Sequence, residues 1–191
     1  MKYSDYIDRY LKEVAEISVS IDRNAIHKTI ALLKNLKEKN GRLFVIGVGG
    51  SAANASHAVN DFRKMCKIEA YAPTDNVSEL TAWTNDSSFH VVFEEWLKES
   101  HVKSGDAVMV LSVGGGSDTV SQNIVRALKY AKETGAVILG IVSRDGGATA
   151  KLADAVILVP VVHEKRITPH AEEWQVVVWH LLANALLERH V

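Results

Sequence analysis

The sequence predicts an α/β fold, a doubly wound, flavodoxin-like sheet of five parallel strands with helices on both faces. Three observations carry this. Short apolar runs alternate with amphipathic segments of helical period along most of the chain. Two of those runs, residues 42–46 and 107–111, feed directly into glycine-serine turns, Gly47-Val48-Gly49-Gly50-Ser51 and Ser112-Val113-Gly114-Gly115-Gly116-Ser117. Strands separated by helices join through right-handed crossovers, which makes the pairing parallel.

The elements follow in order. Tyr3, Ile7, Tyr10, Val14, Ile17 and Ile21 recur at alternating four- and three-residue steps, the stripe of a helix laid along another helix. A second helix is expected from Asp22 or Arg23, as cap, to Asn40, stopped by Gly41. After the strand at 42–46 comes a helix from Ala52 to about Lys64, then a short strand at 68–71. A helix over 88–99 carries Phe89, Val92, Phe93, Trp96 and Leu97. The strand at 107–111 and its turn lead into a helix ending at Glu133, and residues 136–142 and 155–159 supply the last two strands. The final helix, from Pro169 or His170 to about Arg189, is apolar on most faces. Together with the N-terminal stripe it points to a subunit interface, the alternative being a helix buried in its own chain. The expected organisation is one domain over 1–191, with 1–40 a helical pair in that interface.

Composition excludes several functions. A net charge of −1 lacks the basic footprint of a nucleic-acid binder. No apolar run is long enough to span a bilayer, and the charged first residues lack the apolar core of a signal peptide. The single cysteine, Cys66, forms no internal disulfide. A cytoplasmic protein with neither nucleic-acid nor membrane partner is expected.

Both glycine-serine turns lie at the carboxyl ends of strands, where open parallel sheets bind ligands. Glycine allows close backbone approach, the following helix offers unpaired amides, and Ser51, Ser112 and Ser117 add hydroxyl donors. The pair reads as a seat for the phosphate of a small molecule. Residues 47–52 also fit the dinucleotide form G-x-G-x-x-A, with Glu69 in place for a ribose hydroxyl. Against that rival, the strand follows two helices instead of opening the fold, and the second turn has no place in the fingerprint. No nucleotide is expected. Further on, His57 and Asp61 are four apart and share a helix face. Glu172 and His180 are eight apart and lie roughly on one side of the last helix. Spacing alone leaves His180 open between a structural histidine bonded to a carbonyl and an acid–base group, and leaves His57 and Asp61 open between a helix pair and a functional one.

At these residues the chain resembles the sugar isomerase (SIS) domain family, nearest its phosphoheptose isomerase branch. The family's Gly-Asn-Gly-Gly-Ser turn, followed by a helix with His and an acid one turn on, is matched by residues 47–61. Thr84-Asn85-Asp86, the second serine turn, Asp145-Gly146-Gly147 and the last helix with His180 match as well, so the resemblance covers almost the whole chain. It implies a homotetramer with active sites at subunit interfaces, and isomerisation of sedoheptulose 7-phosphate to an aldoheptose 7-phosphate. It implies Asp61 and His180 as the base and acid, and substrate contacts at Ser51, Asn85, Asp86, Ser112, Gly114, Ser117 and Glu172. Some members bind zinc at the positions of His57, Asp61, Glu172 and His180. Departures from the family are Val48 for Asn, Val113 and Gly114 for hydroxyl residues, Asp61 for Glu, Lys165 for Asp and Glu172 for Gln. Aldose–ketose interconversion needs a base near the reacting carbons and an acid for the carbonyl oxygen, roles that carboxylate and imidazole fill. The second function the resemblance allows is a non-catalytic SIS module that binds phosphosugars or a protein partner.

Overall fold

The structure, a computed structural model, describes residues 3–188. Two helices open the chain, α1 (Tyr3–Ser20) and α2 (Arg23–Glu38). Asp22 caps α2, its carboxylate accepting the Asn24 amide at 2.8 Å, which relieves one of the unpaired N–H groups of a helix start. The α/β succession follows: β1 (Leu43–Gly47), α3 (Gly50–Lys64), β2 (Ala70–Tyr71), α4 (Val77–Asp86), α5 (Val92–Glu99), β3 (Ala107–Leu111), α6 (Gln122–Thr134), β4 (Val137–Ser143), α7 (Gly147–Leu152), β5 (Ala155–Val159) and α8 (Ile167–Ala185).

The five strands are parallel in the order β2-β1-β3-β4-β5, the flavodoxin-like order expected from the sequence. That order reverses between β1 and β3, so the turns after these two neighbouring strands flank the topological switch point. Strand side chains alternate between faces. Leu43, Val45, Met109 and Leu111 pack beneath α2, α3 and α8, while Phe44, Ile46, Val108 and Val110 pack against α5 and α6. Burial on both faces is why β1 and β3 are uninterrupted apolar runs. At their amino ends, Asp106 accepts from the Arg42 backbone amide at 3.1 Å and from its guanidinium at 2.6 and 3.2 Å, tying β1 to β3.

Several boundaries differ from the sequence expectation. Helices α4 and α7 were not expected. In α4 no residue is fully buried, so the helix shows no apolar stripe; it rests on Asn76, which accepts the Glu79 amide, and on half-buried Leu80 and Trp83. Helix α7 is only six residues long and starts at a glycine pair. Helix α5 starts at Val92, not Ser88, which leaves Phe89 exposed in a turn. Helix α6 starts at Gln122, because residues 113–121 stay in a loop that reaches Ser121 with a positive φ of 54°. Helix α8 ends at Ala185; Arg189, the expected end, lies outside the described residues.

The two apolar helices meet different fates. Trp174, Val178, Trp179 and Leu182 of α8 are buried in the chain's own core, leaving Val177 and Leu181 outside. The apolar character of α8 is therefore mostly that of a single-chain core helix, and only part of it is left to face a partner. Of α1, Ile17 is buried while Ile7 is 52% and Leu11 61% exposed. A polar knot fixes α1 to the start of α8: the Arg166 guanidinium and His170 Nε2, the latter at 2.9 Å, both meet the Glu13 carboxylate, and the Tyr10 hydroxyl donates to Glu173. The Arg166 hydrogen bonds hold the Glu13 carboxyl down to about 2.

Candidate active site

The turns after β1 and β3 open onto one cavity of about 670 Å³. Val48 and Ser51 line it from the first turn; Ser112, Gly114 and Ser117 line it from the second. The second turn is pressed against the start of α7. A Cβ at Gly115 would collide with the Gly146 carbonyl, and one at Gly147 with the carbonyls of Gly114 and Gly116. Both residues also take positive φ, so glycine is required twice over. Thr149 closes the contact, its amide and hydroxyl donating to Gly115 O at 3.0 and 2.8 Å.

The three serine hydroxyls share one state. Ser112 Oγ accepts the Gly115 amide at 3.1 Å. Ser117 Oγ accepts the Val120 amide at 3.1 Å. Ser51 Oγ accepts the Gln175 side-chain amide at 3.0 Å. An oxygen already accepting from an N–H keeps its own proton for another acceptor. Ser51 and Ser112 thus have a hydroxyl proton to offer into the cavity, and the Ser117 hydroxyl has one to offer there or to the Thr119 hydroxyl 3.5 Å away.

The titratable residues lie on a different feature, the seam where α3 and α8 run side by side in the same direction. Asn54 donates to the Glu172 carbonyl and to Gln175 Oε1 at 3.0 and 2.9 Å. Farther along, the His57 ring stands edge-on to Trp179 with centroids 4.7 Å apart. His180 Nε2 then lies 3.5 Å from Asp61 Oδ2, and Cys66 meets the Ala183 carbonyl. His180 Nδ1 is 2.8 Å from the Val176 carbonyl. A carbonyl only accepts, so Nδ1 carries the proton and Nε2 is the nitrogen offered to Asp61. The carbonyl bond thus occupies one ring nitrogen of His180 and leaves the other toward Asp61, in a side chain still 40% exposed. Ligand atoms of His57, Asp61 and His180 all lie within 4.8 Å of one another, an N,N,O set with a position to spare.

Glu172 does not join that trio. Eight residues of helix separate it from His180 by about 12 Å along the axis, and its carboxylate instead lies 2.6 Å from the Cβ position of Gly50, at the start of α3. There it stands beside the end of the helix at which both the dinucleotide rival and the serine turns would place a phosphate. Glu69, the candidate ribose ligand of that rival, is exposed and accepts the Tyr71 hydroxyl. Asn85 and Asp86 are exposed at the end of α4, bonded to each other at 2.7 Å, and line no part of the cavity. Lys165 is exposed, its amide bonded to His163 Nδ1. Sequence reasoning missed Gln175, which is fully buried and links Ser51 to Asn54. Its signal was a lone amide inside an apolar helix, since such a group is kept only with partners. Also missed were Lys129, Arg144 and Lys151, which line the far end of the cavity.

The pattern of the SIS domain matches residues 2–143, well over half of the chain. The chain belongs to the SIS domain family. Among curated relatives of this SIS protein, the probable phosphoheptose isomerase of Thermoplasma volcanium is 36% identical over 191 residues, spanning 97% of this chain and 91% of the relative. The phosphoheptose isomerase of Geotalea daltonii is 33% identical over 182 residues, spanning 91% and 90%. Among solved structures, phosphoheptose isomerase GmhA from Neisseria gonorrhoeae superposes with a TM-score of 0.81 at 25% identity, covering 96% of each chain. Among the described residues, no helix is long and apolar enough to cross a membrane.

Proposed function

We propose that this SIS protein is an aldose–ketose isomerase that interconverts sedoheptulose 7-phosphate and D-glycero-D-manno-heptose 7-phosphate through an enediol. The observation that carries this is the pairing of a hydroxyl-lined anion cavity with a carboxylate–imidazole pair about three turns down the adjoining helix. Relatives of nearly the same length, named phosphoheptose isomerases, support the same substrate.

Ser51, Ser112 and Ser117 hold the phosphate through their O–H groups. Asp61 takes the proton from C1 of the ketose and returns it at C2. His180 Nε2 moves the hydroxyl proton from the oxygen on C1 to the oxygen on C2, so the sugar keeps its formula. The Val176 carbonyl fixes the tautomer that leaves Nε2 available. His57, Asp61 and His180 would hold a zinc ion, which when bound supplies Lewis-acid polarisation of the carbonyl oxygen. The exposed apolar face of α1 is read as the contact of a homotetramer with active sites between copies, and the whole chain as a single SIS domain.

The test is incubation with sedoheptulose 7-phosphate while aldose formation is followed, for the wild type and His180→Ala. Turnover in the first and its loss in the second are expected. Equal turnover in both would remove His180 from the chemistry. No turnover in the wild type, with phosphosugar binding intact, would favour the non-catalytic module.

A further inference from the structure

The cavity does not end at the serines. It continues into a cleft between α6 and α7, walled by Val125, Ala148 and Leu152 and bearing Lys129, Arg144 and Lys151. Ser121, Val125 and Lys129 are four apart, so one face of α6 descends along this cleft from the second turn. Lys129 is eight residues below Ser121, about 12 Å along the helix, but long helical side chains lean back toward the amino end, here toward the serines. Lys151 leans back toward Gly147 in the same way.

The charges around the serines are lopsided. Toward the α3–α8 seam stand the carboxylates of Glu172 and Asp61. Toward the α6–α7 cleft stand three cations, none of which makes an ion pair among the described residues. Of the two carboxylates on the cavity wall, Asp145 is engaged by the Gly147 amide at 3.1 Å, and Asp118 sits in the exposed stretch beyond Ser117. A sugar phosphate held at the serines with its hydroxyls toward the seam turns the outer side of its phosphate toward these cations.

We infer that the α6–α7 cleft is a second anion subsite, which takes the outer phosphoryl group of a sugar carrying a diphosphate. It rests on the serine turns being the phosphate seat. A sugar of that kind occupies the substrate's place and spans both subsites, so it inhibits the isomerase more strongly than a monophosphate does.

The probes are inorganic phosphate and inorganic pyrophosphate, titrated calorimetrically without divalent ions into the wild type and into Lys129→Ala/Lys151→Ala, with fold checked by circular dichroism. The wild type is expected to bind pyrophosphate about tenfold more tightly than phosphate, the worth of one or two charge-assisted hydrogen bonds. In the double variant that preference disappears while phosphate affinity stays within about twofold. A preference that survives in the variant overturns the subsite. So does a variant that loses phosphate binding equally, because the lysines then belong to the first seat. If the wild type binds pyrophosphate through the lysines but binds no phosphate, the serine seat fails and the cleft stands. If it binds neither, both fall.

Discussion

The seam and the cavity are made of different materials. The α3–α8 seam joins two long helices along a ladder of contacts, and it carries two imidazoles and two carboxylates. The serine end of the cavity is built from strand-end turns, glycines and hydroxyls, and α8 supports it through Gln175, which reaches Ser51. Helices fix where a proton-moving group stands, while turns present backbone and hydroxyl donors at close range. The expected division of labour is that changes on the seam lower kcat and changes in the cavity raise KM.

The largest expected effect is at His180. His180→Ala lowers kcat by about 10²- to 10⁴-fold, the usual worth of a positioned acid–base group, and leaves KM nearly unchanged. A rise in KM with kcat intact would move His180 to the binding half. Next comes the paired change Ser112→Ala/Ser117→Ala. It removes two donors to the phosphate and is expected to raise KM by about tenfold or more, with kcat changed only a few-fold. Steady-state kinetics that showed the reverse split would break the comparison.

Gln175 sharpens it, because this residue sits on the seam but serves the cavity. Gln175→Leu leaves Ser51 without its donor and lets the hydroxyl turn away from the ligand. The expected result is a severalfold rise in KM with kcat near wild type, with Gln175→Glu restoring nothing because a carboxylate cannot donate to Ser51. The smallest effect on turnover is expected from Glu13→Gln in the α1–α8 knot, which appears instead in stability. The Glu13 carboxyl is depressed from 4.5 to about 2, so its stabilisation is present above pH 4.5 and fades as pH falls toward 2. Urea unfolding should show the variant less stable than wild type at pH 6, with the gap closing by pH 2.

The sheet was legible because strands buried on both faces leave uninterrupted apolar runs, and β3 and β5 fall on the residues read from the sequence. Helix α4 was not, since Leu80 and Trp83 alone make no stripe; the readable signal was the cap Asn76 with Glu79 three residues on. Spacing put His57 and Asp61 on one helix face and left their roles and that of His180 open; the structure brings the three together. Glu172 stands apart from the trio because residues on one side of a helix need not be near one another along it. Lys129 and Lys151 carry no sequence signal of their own; only the docking of α7 against α6 puts them on one cleft. The difference between α1 and α8 was equally hidden, because periodicity shows that a face is apolar and not which chain covers it.

A crystal grown with sedoheptulose 7-phosphate tests most directly whether two strand-end turns form a single phosphate seat. The account expects the phosphate oxygens within hydrogen-bond reach of Ser51, Ser112 and Ser117 Oγ, with C1 and C2 toward Asp61 and His180. A phosphate bound away from those hydroxyls, with the sugar leading into the cavity instead, would contradict it.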